Sequence, residues 1–518
     1  MKNIILILFC FACILFPLKS FSQNRNSIWC FGDSSKINFF NGAISSQSSA
    51  NARGSATSIC DTAGNLEFYA CTKGNNWNIG GRIFNSNDNL MQGGDSIYGE
   101  NWYHELTIIS KPASNNIYYL FSIGIVFNTP GFYYSVIDMN LNGGLGAVVQ
   151  KNVQLNSFKN ADCVTAIKHG NGRDWWVISK TNNSSTYFNE FYLYLVTPDT
   201  IFLQSIQQFN NSVDAGLLRI AFNSNGNKMM QNHAGGLLCE YDFDRCSGII
   251  SNPNEIFPNQ LSNFTRLFWE GDYSSDGTKY YVGTMFFTNI DTSYLIQYDL
   301  TSSNIPASAD TLGRVAWPVQ GGAVRLAPDK KIYYSCFYDW GFPGYPYPDS
   351  VHNMYNENLG VINYPDSLGA KCDYQPFSFY LGGKRTYYGL PNNPNYELGP
   401  LQGSPCDTLS ANLAPNTPNP LQGGLNTTYI SAWEKLFVNA SGLKGKNVTV
   451  SIYDATGKVK FARGKPPGGA CPDHSVGGLG VYSGYFTLDV DCTGWASGLY
   501  VVHLETEEEV LSKKFVKE

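Results

Sequence analysis

Charged residues are scarce in this sequence. They make up 15% of it, against about 25% in an average soluble protein. The formal net charge of −6 is small for 518 residues, and no stretch concentrates Lys and Arg into a basic surface. Because nucleic acids and anionic membranes are bound through such surfaces, we expect neither as a partner.

Motifs for catalysis and metal binding are also missing. None of the six His lies in an HExxH motif or in another metal-ligand spacing, and no CxxC pair occurs. No GxSxG motif precedes a helical pattern. We therefore predict no catalytic residue, no cofactor and no metal site. A hydrolase or lyase that assembles its groups from distant segments would leave no such motif, and it stays an alternative.

Long apolar runs are confined to the N-terminus. Residues 1–22 combine the early Lys2 with an apolar run and end in small residues before Gln23, which predicts a secretory signal peptide. The apolar run is shorter than the ~20 residues that a membrane-spanning helix needs. We expect a protein without a membrane span, located outside the cell or on the outer-membrane surface.

Eleven cysteines remain after the predicted signal peptide, an odd number in a setting that permits disulfides. Short separations suggest three pairs, two across predicted hairpins and one within the C-terminal region, with the remaining cysteines unassigned and one thiol left free. The predicted pairs are Cys60–Cys71, Cys239–Cys246 and Cys471–Cys492.

The sequence is rich in glycine and aromatic residues, as all-β extracellular proteins often are, and a hairpin pattern recurs six times. Each copy has an apolar strand, a polar turn and a second strand that begins with large residues. The turns lie 51 to 57 residues apart, close to the repeat length of β-propeller blades. Their central positions are Gly64, Asn115, Gly172, Gly226, Gly277 and Lys330.

These repeats predict an all-β fold with a β-propeller at residues 23–396, in which seven blades are favoured and six are possible. In the seven-blade arrangement, the segments 27–32 and 36–40 close the ring by pairing with strands from Leu359–Leu390. Residues 397–424, which are rich in Pro, Asn and Gly, predict a linker. Residues 425–518 alternate apolar and polar residues and predict a small immunoglobulin-like β-sandwich.

Two resemblances refine this prediction. The turn at Ser274–Tyr280 resembles those of TolB-like and YVTN-type propellers, which are WD40-like folds. Several segments resemble the uncharacterised propeller-like regions that precede sorting domains of the bacterial type IX secretion system. These segments are Trp29–Gly42, Ser135–Leu155, Asp174–Ser179 and Tyr387–Pro394.

The C-terminal region itself resembles the type A sorting domain of type IX secretion, through the stretches Ser451–Phe461 and Gly498–Glu518. An insertion between Phe461 and Tyr485 departs from the family pattern. The resemblance implies export across the outer membrane with the type IX machinery as a partner. The residues that carry it are Tyr453, Asp454, Gly457, Lys458, Gly498, Leu499, Tyr500, Lys513 and Lys514.

Two long loops rich in aromatic residues, Phe337–Tyr355 and Lys73–His104, are the predicted ligand site. Aromatic rings stack on sugars and peptide side chains with little loss of entropy. The alternative is that the loops cap a blade, plug the channel or serve as ordinary connections. The predicted ligand-binding residues are Trp340, Phe342, Tyr345, Tyr347, Trp77 and Trp102.

The predicted function is therefore a non-catalytic binding or adhesion module for a glycan or a protein. Besides the enzyme named above, a second alternative is a structural component of a surface assembly, which the unpaired cysteine would link to a partner.

Overall fold

The computed structural model is all-β, as the sequence predicts. Among the residues that the structure describes, three short 3-10 helices interrupt the strands, at Asn142–Gly144, Pro306–Ser308 and Gly369–Cys372. No helix in the described part of the chain is long and apolar enough to cross a membrane. The structure describes residues 24–73, 80–100, 102–124, 130–181, 189–211, 218–260, 267–284, 291–339, 346–407, 424–430, 434–441, 443, 448–463 and 486–517.

Within these residues, strands between Ile28 and Tyr380 form seven antiparallel sheets, each with its strands in chain order. The first three sheets contain β1 (Ile28–Phe31), β2 (Asp33–Asn38) and β3 (Ile44–Asn51); β4 (Ala56–Cys60), β5 (Leu66–Thr72) and β6 (Gly81–Asn85); and β7 (Leu106–Ser110), β8 (Ile117–Gly124), β9 (Gly131–Asp138) and β10 (Ala147–Asn156). The fourth and fifth contain β11 (Thr165–Lys168), β12 (Trp175–Lys180), β13 (Asn189–Val196) and β14 (Ile201–Phe209); and β15 (Leu218–Phe222), β16 (Lys228–His233), β17 (Leu238–Phe243) and β18 (Ile250–Phe257). The last two contain β19 (Phe268–Tyr273), β20 (Lys279–Thr284), β21 (Thr292–Asp299) and β22 (Asp310–Ala316); and β23 (Val319–Leu326), β24 (Ile332–Tyr338), β25 (Asn358–Ile362) and β26 (Tyr374–Tyr380).

The first strand of each sheet lies towards the centre of the molecule. Strands β4 and β7 are buried throughout, whereas the outer strands β18 and β22 are largely exposed. Each first strand contacts the next, from β1 to β23. Trp29 of β1 then packs against Tyr333 of the last sheet, with ring centroids 6.0 Å apart. The sheets therefore form a closed ring around a central channel, which is a β-propeller.

The ring has two distinct faces, because consecutive strands run in opposite directions. We call one the loop face; it carries the connections between sheets and, in the second to seventh sheets, those between the second and third strands. In these six sheets the turn face carries the hairpins between first and second strands and between third and fourth strands. Strand β1 runs the opposite way, because Asp33 N donates to Arg385 O and Cys60 N donates to Arg25 O, so its hairpin to β2 lies at the loop face.

All six predicted hairpins are confirmed, and each joins the first and second strands of a sheet. In five of them the turn residue has a positive φ and its N–H donates to the carbonyl three residues earlier, over 2.9–3.1 Å. In the third sheet Ala113, rather than the predicted Asn115, has the positive φ. The five turn residues are Gly64, Gly172, Gly226, Gly277 and Lys330.

The predicted pairing of the closing sheet is wrong. Strand β1 pairs with β2 and β2 pairs with β3, while β25 and β26 complete the seventh sheet. Sequential hairpins close short loops and cost less chain entropy than a sheet built from both ends of the domain. The two ends still meet, because Asp33 N donates to Arg385 O over 2.8 Å.

The structure pairs Cys246 with Cys406, so the predicted Cys239–Cys246 bond does not form. Cys239 lies inside β17, opposite Gln231, whereas Cys246 lies in the turn that follows this strand. The predicted Cys60–Cys71 bond is also absent, because the two residues lie at opposite ends of the β4–β5 hairpin.

The third predicted bond involves Cys471, which lies outside the described residues. Its predicted partner Cys492 is a buried free thiol. The eight free cysteines among the described residues are all buried: Cys30, Cys60, Cys71, Cys163, Cys239, Cys336, Cys372 and Cys492.

The C-terminal region is a two-sheet β-sandwich. One sheet has the order β27-β28-β31 and the other the order β30-β29-β32-β33. Buried side chains from both sheets, among them Val438 and Val502, share one core. The strands are β27 (Gly424–Ile430), β28 (Lys435–Ser441), β29 (Thr449–Asp454), β30 (Val459–Arg463), β31 (Phe486–Asp491), β32 (Gly498–Glu505) and β33 (Val510–Lys517).

Candidate binding faces and the occupied channel

The central channel is occupied by the chain itself. Residues 386–401, which we call the channel segment, follow the seventh sheet and pass from the loop face to the turn face. Near the loop face, Tyr388 N donates to Arg53 O over 3.0 Å. Near the turn face, Leu401 N donates to Gly170 O over 2.8 Å. Between these points the segment forms hydrogen bonds with residues of the innermost strands, including Ala56, Leu106, Thr107, Ile108, Arg219, Ala323 and Arg325.

Asn392 is the centre of this hydrogen-bond network. Its Nδ2 donates to Leu106 O over 3.0 Å and to Val164 O over 2.8 Å. Its backbone N–H donates to Ala56 O over 2.8 Å, and its Oδ1 lies 3.5 Å from Arg219 Nη1. One buried residue therefore ties the channel segment to four sheets of the ring, three through its side chain and one through its backbone.

The channel segment also approaches the ring too closely for a side chain at one position. A Cβ atom on Gly389 would lie 1.8 Å from Gly54 O. Real Cβ atoms do not come this close to a backbone oxygen, so glycine is required for the segment to lie where it does.

Ionisable groups in the channel are buried and paired. Glu270 lies between His104 and Arg325, with His104 Nε2 2.9 Å from Oε1 and Arg325 Nη1 2.8 Å from Oε2. Burial would raise the pKa of Glu270, but the charges of Arg325 and His104 outweigh it and lower this pKa. Burial lowers the pKa of His104. Arg325 Nε also donates to Pro391 O over 3.2 Å, so the cluster holds the channel segment.

An aromatic cluster closes the channel at the loop face, and it contains both of the predicted ligand residues that the structure describes. Tyr347 is only 4% exposed and stacks on Tyr387, with ring centroids 4.4 Å apart. Its hydroxyl accepts a hydrogen bond from Tyr338 N over 2.9 Å. Tyr347 is therefore a packing residue, which agrees with the capping alternative. The buried members are Tyr103, Trp269, Phe337, Tyr347, Val351, Tyr387 and Tyr388.

Trp102 packs on the edge of this cluster and stays partly accessible. The Arg53 guanidinium carbon lies 5.9 Å from its ring centroid, within range of a cation–π contact. The other predicted ligand residues lie outside the described residues; these are Trp77, Trp340, Phe342 and Tyr345.

Sequence reasoning missed a further aromatic residue of the loop face. Trp317 lies in the short connection between β22 and β23 and is 61% exposed. A large exposed indole is unusual on a soluble protein and often marks a contact surface. A Trp-Pro pair between two strands could have indicated this residue from the sequence, but the prediction considered only long loops.

A polar cavity of about 300 Å³ opens at the turn face beside the channel segment. Side chains of Arg219, Asp272, Asn393 and Asn395 contribute to its lining. Two of these carboxamides have protein partners, since Asn393 Nδ2 donates to Asn26 Oδ1 over 2.7 Å and Asn395 Nδ2 donates to Ser224 O over 3.2 Å. Among the described residues, no group of three or more His, Cys, Asp and Glu side chains is placed to hold a metal ion.

The channel segment continues into a disulfide-bonded exit on the turn face. Arg245 Nη2 donates to Gly399 O over 2.7 Å, and Cys406 is bonded to Cys246 in the turn between β17 and β18. Residues 397–407 of the predicted linker therefore lie against the propeller.

The residues predicted to carry the sorting signal lie on three strands of one sheet and on one turn. Asp454 Oδ1 accepts hydrogen bonds from Thr456 N and Lys458 N, which forms the turn at Gly457, where φ is +82°. Tyr500 is buried and its hydroxyl donates to Ala496 O over 2.6 Å. On strands β32 and β33 the exposed residues include Leu499, Lys513 and Lys514, and Gly498 is partly exposed. Tyr453 on the neighbouring strand β29 is also partly exposed.

No protein-family model and no curated protein matches this chain. Among solved structures, it is similar to a periplasmic gluconolactonase of Pseudomonas aeruginosa, at 8% identity and a TM-score of 0.35, covering 76% of this chain and 94% of that one. It is similar to the Cps50 (Swd1) β-propeller domain of Myceliophteria thermophila, at 8% identity and a TM-score of 0.32, covering 60% and 93%. It is also similar to the Dos1 propeller, at 11% identity and a TM-score of 0.37, covering 62% and 70%. The closed ring of sheets and the sandwich that follows it make this chain a β-propeller protein with a C-terminal β-sandwich.

Proposed function

We propose that this protein is an exported, non-catalytic recognition module that binds a glycan or a protein through the loop face of its propeller. The observation that supports this proposal most strongly is that the chain itself occupies the central channel. The channel is where several sheets bring side chains together, and here it holds residues 386–401. The His104, Glu270 and Arg325 side chains inside it are paired with each other or with the channel segment.

The loop face carries the aromatic groups suited to recognition. Trp317 is exposed and Trp102 is partly exposed, and Arg53 adds a cation beside the second indole. Indole rings stack on sugar faces and serve as anchors in protein interfaces.

The opposite face is assigned to attachment. The chain leaves the propeller at the turn face, where the Cys246–Cys406 bond and the Leu401–Gly170 hydrogen bond hold it. A propeller attached through its C-terminal region is therefore connected from the turn face, which leaves the loop face free for a ligand.

For the C-terminal sandwich we propose the sorting role in type IX secretion, after cleavage of the signal peptide. The resemblance of its sequence supports this role, as does the edge position of β33 in its sheet. An edge strand has unpaired backbone groups that a partner can bind. Lys513 and Lys514 are exposed on β33 and offer charge for recognition.

Deletion of Leu499–Glu518 tests the sorting role. We expect the shortened protein to accumulate in the periplasm, because it lacks both β32 and β33. A variant with Lys513 and Lys514 both changed to Ala keeps the strands and separates recognition from folding. Normal appearance of both variants outside the cell would contradict the role.

A hydrolase or lyase remains the second candidate, because the buried His104–Glu270 pair has acid–base groups. It would require displacement of the channel segment to admit a substrate. The third candidate, an assembly component linked through an unpaired cysteine, finds no support among the described residues, since their free thiols are all buried.

The binding proposal is tested by a glycan-array and cell-envelope screen of the mature protein. Trp317→Ala and Trp102→Ala remove the two aromatic groups of the loop face. Tyr364→Ala is the matched control, because Tyr364 is 62% exposed in a third-to-fourth-strand turn of the turn face. If either indole is an anchor, its removal weakens binding by about 30-fold, or ~2 kcal/mol, and the control does not.

Two results would contradict the proposal. One is binding that is lost in the Tyr364→Ala control and kept in both loop-face variants. The other is turnover of a screened polysaccharide or peptide that disappears in His104→Gln, which would favour the enzyme.

A further inference from the structure

Lys180 is a buried lysine that has no carboxylate oxygen within ion-pair distance among the described residues, although the charge of Glu190 acts on it and raises its pKa. It ends β12 and is 1% exposed. Its Nζ donates to Asn189 Oδ1 on the neighbouring strand β13 and to Glu190 O over 3.2 Å. The Phe191 ring centroid lies 3.5 Å from the same nitrogen. Two oxygens and the ring face partner this nitrogen, but burial removes the water that would solvate its ammonium form.

The surroundings favour the neutral amine. Burial lowers the pKa of Lys180 from its ordinary 10.5 to about 7. Near neutral pH a substantial fraction of the side chain therefore has a free lone pair, which makes the nitrogen a nucleophile.

Asn189 presents its carboxamide to this nitrogen and is held in place by other side chains. Gln231 Nε2 donates to Asn189 Oδ1 over 3.2 Å, and Asn189 Nδ2 donates to Gln231 Oε1 over 2.9 Å. Asn189 Nδ2 also lies 2.8 Å from the Tyr241 hydroxyl. Hydrogen bonds that Oδ1 accepts from Gln231 and Lys180 draw electrons from the carbonyl and make its Cγ more electrophilic.

We propose that Lys180 and Asn189 form an intramolecular amide cross-link between β12 and β13. Nζ attacks Cγ of Asn189, and the Cγ–Nδ2 bond breaks as Nδ2 gains the proton that Nζ loses. Tyr241 is placed to relay this proton, because its hydroxyl contacts the leaving nitrogen. The products are one amide and one molecule of ammonia, and no oxidant or reductant takes part.

The cross-link joins the two strands at the loop face, where β12 ends and β13 begins. It covalently fixes the base of the β12–β13 connection on the face that we assign to recognition. The chemistry is independent of that assignment and is tested separately.

Lys168 provides an internal control within the same sheet. It is half-buried, and burial lowers its pKa to about 8. Its Nζ, however, contacts Arg173 O over 3.4 Å and the Trp175 ring, and it contacts no carboxamide in the part of the chain that the structure describes. A buried lysine without an adjacent carboxamide has no electrophile, so Lys168 stays a free amine.

Mass spectrometry of the reduced, denatured protein tests the proposal. We expect the folded preparation to be lighter than its sequence by one ammonia. Trypsin then gives a single peptide, residues 174–219, because the modified Lys180 is not cleaved. Acetic anhydride applied after denaturation labels Lys168 and leaves Lys180 unlabelled.

The variant Asn189→Ala removes the electrophile and keeps the lysine. It should restore the full mass and give the two peptides 174–180 and 181–219. A wild-type protein of full mass, with Lys180 cleaved and labelled like Lys168, would overturn the proposal and leave Lys180 as an unmodified buried amine.

Discussion

Replacing Asn392 by Ala tests whether the channel segment is part of the folded propeller. The change leaves the carbonyls of Leu106 and Val164 without their donor in a buried site. An unsatisfied buried acceptor costs about 1–3 kcal/mol, so we expect the free energy of unfolding to fall by about 2–5 kcal/mol. Asn392→Asp keeps the size of the side chain but replaces the donor by an acceptor, and it should cost at least as much.

Urea unfolding followed by tryptophan fluorescence measures this loss as a lower midpoint with an unchanged slope. Asn395→Ala is the matched control three residues along the segment. Asn395 is partly exposed, and its Nδ2 donates to Ser224 O over 3.2 Å. We expect a loss below about 1 kcal/mol there, because water can replace the bond. Equal midpoints for wild type, Asn392→Ala and Asn395→Ala would refute the argument.

Three further predictions follow from the same structure. Gly389→Ala should cost about 3 kcal/mol or more in urea unfolding, since its Cβ would collide with Gly54 O; wild-type stability would contradict the close approach. Cys406→Ser removes the disulfide bond between residues that are 160 positions apart. The urea midpoint should fall by an amount that corresponds to about 2–5 kcal/mol of unfolding free energy, and reduction of the wild-type protein should have the same effect. Burial raises the pKa of Glu105 from 4.5 to about 7, so the folded state binds this proton more tightly than the unfolded chain. The free energy of unfolding should then fall by up to about 3 kcal/mol between pH 4.5 and 7, and Glu105→Gln should remove that slope.

The repeating hairpins were predictable because residues close together in the sequence determine them. A polar turn between two apolar strands has the same pattern in every copy, and five of the six turn residues have a left-handed conformation. The first sheet lacks this pattern. Its strand β3, Ile44–Asn51, is mainly Ser and Asn and largely exposed, so its sequence resembles that of a loop.

The channel segment was not predictable from periodicity, because its partners are backbone groups far away in the chain. Asn392 binds carbonyls 286 and 228 residues earlier, which only the closed ring brings together. The Cys246–Cys406 bond was missed for the same reason, since the prediction favoured short separations across hairpins.

The candidate binding face was partly predictable. Aromatic residues in long connections indicated the loop face, and Trp102 lies there with an accessible ring. Tyr347 is also an aromatic residue in a long connection, but it is buried by its neighbours. The local sequence does not show whether residues that are distant in the chain will bury a side chain. Trp317 was missed because its connection is short.

Hydrogen exchange of the mature protein tests most directly whether the chain occupies its own channel. The backbone N–H groups of Thr386, Tyr388 and Asn392 each donate to a carbonyl of the ring, at 2.7, 3.0 and 2.8 Å. We therefore expect these amides to be protected as strongly as those of strand β4, with exchange that requires unfolding of the propeller. Exchange of these three amides at the rate of an unfolded peptide, in a protein whose β4 stays protected, would show that the channel is open and would contradict the proposed function.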